Sequence, residues 1–340
     1  MDWRSEEFLP KANGTWQFWR PPFGRKGNGE LRVKRALRQL HLWDPILVAS
    51  PASARLMPAV CVPEMTHALQ KRMALQYQSI FYFSLSVAVA SAVFFACSDG
   101  TATNILKLTI FSTLFAVFFG MQERLVVSNI DNLRETARFV SWIYMQRTHA
   151  VPVAAGFMLL IGLGQYLIEN RSGGFELMII KYGLVYDIAE REPWRYVIGP
   201  LFHSGLPHWA GNTALLIMAA GLSAALAKRS SIALIFLLGA ILPSYLYGLL
   251  PATLHSEAMG GVSGGVFAVF GFAGGIALRN WRWAPPHFGW IVIVFTTILT
   301  ILSWLANPQS NNFVHVIGLV LGLTLGLVNV GSKIPSRLPT

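Results

Sequence analysis

Residues 260–278 read GGVSGGVFAVFGFAGGIAL, an uncharged run with a single hydroxyl, Ser263, at its head. As a helix rising ~1.5 Å per residue, such a run nearly covers the ~30 Å hydrocarbon layer of a bilayer. A second uncharged run, residues 312–330 (NFVHVIGLVLGLTLGLVNV), carries His315 near its head, 52 positions after Ser263. A nucleophile and a base, both set at the start of apolar runs, point to hydrolysis inside a membrane.

The surrounding sequence has the same character. A mean hydropathy of +0.49 with 13% charged residues is too apolar for a soluble chain of 340 residues. Eight runs are long enough to span: 79–97, 105–121, 150–168, 209–227, 230–250, 260–278, 288–306 and 312–330. Only Lys107, near the start of the second, breaks their freedom from Asp, Glu, Lys and Arg. The expected fold class is therefore an all-α polytopic membrane protein.

Short connections set the expected orientation. Lys228 and Arg229, Arg279 and Arg282, and Lys333 and Arg337 mark alternate connections as cytoplasmic, whereas 251–259 and 307–311 contain no Lys or Arg. The polar segment 1–78 holds twelve basic against six acidic residues, so both termini are expected inside. No signal peptide is expected ahead of the first span. Within 1–78 two readings stand: a basic amphipathic helix over Glu30 to Trp43 attracted to anionic lipid, or a partly ordered cytosolic tail. Gly and Pro in 10–29 read as a linker, and 122–149 reads as a cytoplasmic connecting helix. The expected divisions are 1–78, two membrane helices over 79–121, the connection 122–149, a six-helix core over 150–330, and a tail over 331–340. A basic amphipathic helix attracted to anionic headgroups helps explain the net charge of +11 without nucleic acid, and so does a tail obeying the positive-inside bias.

Cys61 and Cys97 fall on opposite sides in this topology, which excludes a disulfide framework. Neither has a His or Cys neighbour at ligand spacing, so no metal and no cofactor are expected.

With both ends inside, the fourth, sixth and eighth runs all start at the outer face. Their heads carry His208 and Asn212, then Ser263, then His315. Any one of these polar residues is explained by interhelical hydrogen bonding worth ~0.6–2 kcal/mol; four at one depth favour chemistry. Imidazole suits the removal of the Ser263 proton. Backbone N–H groups at a helix start flanked by Gly261, Gly264 and Gly265, and the side chains of His208 and Asn212 on one helix face, could receive a developing oxyanion. No carboxylate lies in the sixth or eighth run, so the pair is a dyad. His315, Gly318, Gly322 and Gly326 share one face, and Gly264, Gly271 and Gly275 supply a matching smooth surface, a pattern also common in ordinary membrane helices. Residues 261–265 satisfy GxSxG, but the preceding segment is a short polar loop, which rules out the strand-to-helix elbow of α/β-hydrolases.

The ordered set Trp194-Arg195, His203, His208-x-x-x-Asn212, Gly261-Val262-Ser263-Gly264 and His315-x-x-Gly318-x-x-x-Gly322 resembles the rhomboid intramembrane serine proteases over roughly 150–330. The resemblance implies a six-helix core preceded by two extra membrane helices, with Ser263 as nucleophile and His315 as base and later acid. It implies Asn212, His208 and the Ser263 N–H as the oxyanion hole, and His203, Trp194, Arg195, Gly261, Gly264, Phe267, Gly318 and Gly322 as structural neighbours of the site. The loop 169–207 would be the membrane-embedded first loop, 305–312 a cap, and 288–306 a mobile helix beside which substrate enters. It implies single-pass membrane proteins as substrates and no cofactor. Three departures stand out: Phe267 where many relatives have Tyr, Val314 where a small residue is usual, and the two extra spans. The expected location is a bacterial plasma membrane, with the site opening outward. A rhomboid-like protein that binds membrane clients without cutting them is the rival, disfavoured by an intact dyad; a transporter is disfavoured by the absence of intramembrane carboxylates.

Overall fold

The computed structural model describes residues 2–334 except 22–23, 39, 99–101, 147–148, 252, 255 and 307–310. Arg337, most of the expected tail and residues 307–310 of the expected cap at 305–312 lie outside the described residues. The chain divides into two compact units, Met1–Met145 and Gln146–Thr340.

The first unit begins with short strands β1 (Gln17–Trp19) and β2 (Lys26–Asn28), helix α1 (Glu30–Ala36), and strands β3 (Leu47–Ala49) and β4 (Met57–Pro58). The strands form an antiparallel sheet in the order β2-β1-β3-β4. Three long helices follow: α2 (Thr66–Cys97), α3 (Thr103–Ser128) and α4 (Ile130–Gln146). Val33, Leu37, Leu42, Val48 and Val60 bury against Leu69, Met73 and Tyr77 of α2, Val126 of α3 and Leu133 of α4. Three expectations are corrected here. The 10–29 stretch is a β-hairpin and its approaches, closed by pairing Phe18 with Gly27. The 30–43 stretch is helical only to Ala36, and its apolar face is spent on this protein core instead of lipid. The 122–149 stretch is two helices, because Asn129 turns extended and its side chain accepts from the Asp131 N–H at 2.7 Å, starting α4 afresh.

The second unit holds α5 (Ala150–Ser172), α6 (Phe175–Tyr182), β5 (Leu184–Val185), α7 (Tyr186–Ala189), α8 (Arg195–Ile198), α9 (Leu206–Leu226), α10 (Arg229–Gly248), β6 (Ala258–Met259), α11 (Ser263–Arg279), α12 (Phe288–Ala306) and α13 (Asn312–Leu327). Together with α2 and α3 the described residues contain eight apolar helices: six long enough to cross a membrane, and α11 and α13, which are shorter. The chain is thus an all-α multi-pass membrane protein. At 17 and 16 residues, α11 and α13 extend only ~25 Å. The sequence pattern makes them longer, because hydropathy alone does not register that Gly260 to Val262 form a loop and not a helical turn, nor that α13 ends at Leu327.

Helix α11 is apolar on every side, and each residue from Gly264 to Ala277 is buried, as such a helix must be. Helices α9, α10, α12 and α13 pack around it. Its contact with α13 runs parallel at backbone distance. A Cβ on Gly318 would meet the Gly264 carbonyl, one on Gly322 the Ala268 carbonyl, and one on Gly326 the Phe272 carbonyl. In return, a Cβ on Gly271 or Gly275 would strike the carbonyls of Leu319 or Leu323. Close approach of this kind maximises dispersion contact where lipid gives no hydrophobic drive between helices. On the other side Pro243 of α10 lacks the N–H that would bond the Gly239 carbonyl, and that carbonyl lies 2.5 Å from a Cβ built on Gly264.

Gly322→Val is expected to drive α13 off α11 and lower stability by ~1–3 kcal/mol, read as a fall in the thermal midpoint of the purified protein. An unchanged midpoint would show that the two helices do not meet here. In the first unit Cys61 is buried, and burial pushes its thiol up to about 11, whereas Cys97 is exposed. A maleimide should therefore modify Cys97 in the folded protein and Cys61 only after denaturation; prompt labelling of Cys61 in a folded Cys97→Ser variant would contradict the packing of the first unit.

Candidate active site

Ser263 is the first residue of α11, and His315 sits in the first turn of α13. The glycine contact sets these two helix starts side by side, and the Ser263 Oγ lies 2.8 Å from His315 Nε2. Asn311 fixes where α13 begins, its side chain accepting from the Val314 N–H at 3.2 Å. His315 is only 5% exposed. Phe267, one helical turn after Ser263, stacks on the imidazole with ring centroids 4.4 Å apart and planes 9° apart. That stack and the Ser263 contact hold the ring in one plane with Nε2 toward the hydroxyl. When Nε2 accepts the hydroxyl proton, Nδ1 carries the ring hydrogen. Nδ1 is enclosed and has no partner among the described residues.

The loop entering α11 is held from two directions. Strand β6 pairs antiparallel with β5, Leu184 opposite Met259, and the Tyr186 N–H donates to the Glu257 carbonyl at 3.0 Å. Gly260 then passes so near the Phe202 carbonyl that a Cβ would come within 2.6 Å of it. Gly261 adopts φ +106°, a conformation that side chains resist, and a Cβ there would lie 2.6 Å from His208 Cε1 and 2.7 Å from Nε2. The same imaginary atom would be 3.7 Å from Asn212 Nδ2. Glycine at 261 thus lets the imidazole of His208 and the amide of Asn212 come up to the peptide that precedes Ser263. The N–H of Ser263, at the first helical position, has no intrahelical acceptor.

Asn212 and His208 lie one turn apart on α9, and Asn212 Nδ2 donates to the His208 carbonyl at 3.2 Å. Only one of its two N–H groups is used in that bond, and the residue is 4% exposed. His208 Nδ1 is 3.2 Å from the Ser204 hydroxyl, and its ring meets the edge of His203 at 5.1 Å. All four polar residues expected to converge are therefore within one small volume.

Arg195 and Trp194 act at a distance from that volume. Arg195 is buried, and its guanidinium donates to the carbonyls of Ile180, Lys181 and Gly183 and to the Glu192 carboxylate at 2.7–3.1 Å. These are the carbonyls that the end of α6 leaves unbonded, so one side chain closes the loop that carries β5. Trp194 is partly exposed with its ring 4.9 Å from the same guanidinium carbon. Val314 is 1% exposed and packs against Leu184, Tyr186, Ala189 and Met259. Its side chain fills the junction between the loop and the start of α13.

Gln165, in the middle of the apolar α5, was not singled out by the sequence pattern. Its amide pairs with the His203 backbone in both directions: Nε2 donates to the carbonyl at 2.7 Å, and Oε1 accepts from the N–H at 2.8 Å. A lone amide in an otherwise uncharged run is the available signal. Beside it, Trp209 Nε1 donates to the Met158 carbonyl at 2.9 Å across the bare face of Gly162. Helix α5 thereby fixes the chain that leads into His208.

Residues 190–332 match the family model of the Rhomboid domain. All twelve residues marked in the sequence lie in that span, whereas α5 with Gln165 lies before it. No curated protein matches the chain.

Gln165→Leu keeps the volume and removes both hydrogen bonds to His203. It is expected to cost ~2–4 kcal/mol, mostly from two main-chain groups left without partners, with Gln165→Glu retaining the acceptor half of the pairing and a smaller loss. Thermal denaturation of the purified variants measures this; equal midpoints for all three proteins would contradict it.

Proposed function

We propose that this chain, whose residues 190–332 are a rhomboid-family domain, is an intramembrane serine protease. Proteins of this family are generally intramembrane serine proteases. The observation that carries the reading is the 2.8 Å approach of Ser263 Oγ to His315 Nε2 at the heads of two short apolar helices.

In the proposed reaction Ser263 Oγ attacks the carbonyl carbon of a substrate peptide bond while His315 Nε2 takes its proton. The carbonyl oxygen becomes an oxyanion, received by the Ser263 N–H, the free N–H of Asn212 and His208. A single well-aimed donor of this kind contributes ~2.7–4 kcal/mol at the transition state. His315 then gives the proton to the leaving nitrogen, the C–N bond breaks, and an acyl ester remains on Ser263. Water, deprotonated by the same imidazole, hydrolyses the ester and restores the serine. The stacked Phe267 keeps the ring aligned for both proton transfers.

The site's depth bears on substrate. A peptide bond in a stable helix is hydrogen-bonded and covered, so the expected substrates are single-pass membrane proteins whose helices weaken near the outer end. Helix α12 is the expected flank for their entry. The charge distribution supports cytoplasmic termini and an outward-opening site.

The test is cleavage of a panel of single-pass substrates by the purified protein in liposomes. Wild type should cut at least one of them, and Ser263→Ala should reduce the rate by ~10³-fold or more while remaining folded. Equal cleavage by both proteins would remove Ser263 from the reaction. A folded wild type that binds the panel and cuts none of it would favour a protein that holds membrane clients.

A further inference from the structure

The oxyanion role proposed for His208 needs a hydrogen on one particular ring nitrogen. A neutral imidazole carries a single N–H, and the hydrogen bond made by one nitrogen decides whether the other holds it. Nε2 is the nitrogen next to the peptide ahead of Ser263: a Cβ built on Gly261 would lie 2.7 Å from it. Nδ1 lies 3.2 Å from the Ser204 hydroxyl. A serine hydroxyl can donate or accept, so this one contact is compatible with either tautomer. With Ser204 donating to Nδ1, Nε2 carries the hydrogen and can serve an oxyanion. With Ser204 accepting from Nδ1, Nε2 is left with a bare lone pair that would repel one.

The backbone on both sides of Ser204 is fixed. His203, just before it, has its N–H and its carbonyl held by the Gln165 amide at 2.8 and 2.7 Å. Gly205, just after it, takes φ +142°, a conformation that side chains resist, and its carbonyl accepts from the Trp209 N–H at 3.1 Å to open α9. Ser204 is thereby set beside the first turn of that helix, four residues before His208. Its side chain is exposed, and among the described residues its hydroxyl bonds to no other group. Donation to Nδ1 is the bond that uses the hydroxyl hydrogen inside the protein.

We propose that Ser204 is a positioning residue for His208: its hydroxyl donates to Nδ1 and so keeps a hydrogen on Nε2, facing the oxyanion. The inference rests on the proteolytic reading above. Ser204 touches no reacting atom in this scheme and acts only through the imidazole, by selecting its tautomer and holding the ring against rotation.

Nitrogen NMR of the full chain, labelled in its histidines and purified in detergent, reads the tautomer directly, with the His208 signals identified by their loss in His208→Gln. In wild type, Nδ1 should show the shift of an unprotonated, hydrogen-bonded nitrogen and Nε2 that of a protonated one. Ser204→Ala should lose the hydrogen-bonded signature at Nδ1, and Ser204→Thr, which retains a hydroxyl, should keep it. Loss of a whole oxyanion donor costs ~10²–10³ in rate, and a donor that is merely unfixed is still present part of the time, so Ser204→Ala should lower kcat by about tenfold. KM and the thermal midpoint should stay unchanged, and Ser204→Thr should recover most of the loss. The proposal is overturned if Nδ1 is protonated in wild type, if Ser204→Ala keeps the wild-type kcat, or if Ser204→Thr loses as much as Ser204→Ala. The nitrogen shifts are read without turnover. A wild type that cuts no substrate therefore overturns the proteolytic reading and the positioning role with it, whereas a cutting wild type with Nδ1 protonated overturns the positioning role alone.

Discussion

The parallel contact between α11 and α13 is the constraint on which the second unit depends. Glycines from both helices remove every Cβ that would hold the backbones apart, and the two helix starts come into register as a result. Ser263 and His315 are neighbours because Gly318 and Gly322 are bare. Pro243 and Gly239 permit a similar approach from α10, and the tie between β5 and β6 leads the chain to Ser263 at a fixed height. Each of these devices spends conformational freedom or a hydrogen bond on geometry, and the dense packing around α11 offsets that cost.

A dyad assembled this way lacks a third polar member. Nothing described accepts the hydrogen on His315 Nδ1, so the ring is oriented by Phe267, by Ser263 and by the helix that carries it. A buried imidazole without a carboxylate behind it is poorly disposed to hold charge for long. In the proposed reaction it does so only while an oxyanion stands close by. In that proposed reaction His208, Asn212 and Gly261 supply polar contacts for a charge that exists only during turnover.

The sequence made eight spans legible because a bilayer reads hydropathy in blocks. It made the candidate site legible because four polar residues fell near the heads of the fourth, sixth and eighth runs. Other features follow from tertiary contact and leave weaker marks. Strands of two or three residues cannot establish a period, so the sheet of the first unit was hidden, and so was the core formed by Val33, Leu37 and Val48 with α2. Gln165 looked like any lone amide in an apolar helix until the His203 backbone was seen against it. The true start of α11 depended on Gly261, whose effect is local geometry and not hydropathy, whereas α13 begins at Asn312, where the eighth run begins.

The central claim is that helix proximity alone makes one serine of this chain reactive, with His315 as its base. Mapping the attachment site of a serine-directed fluorophosphonate by mass spectrometry, in wild type and in a folded His315→Ala variant, tests it most directly. The account predicts a single adduct, on Ser263, that disappears when His315 is removed. Adducts spread over several serines, or a Ser263 adduct that forms as fast without His315, would contradict it.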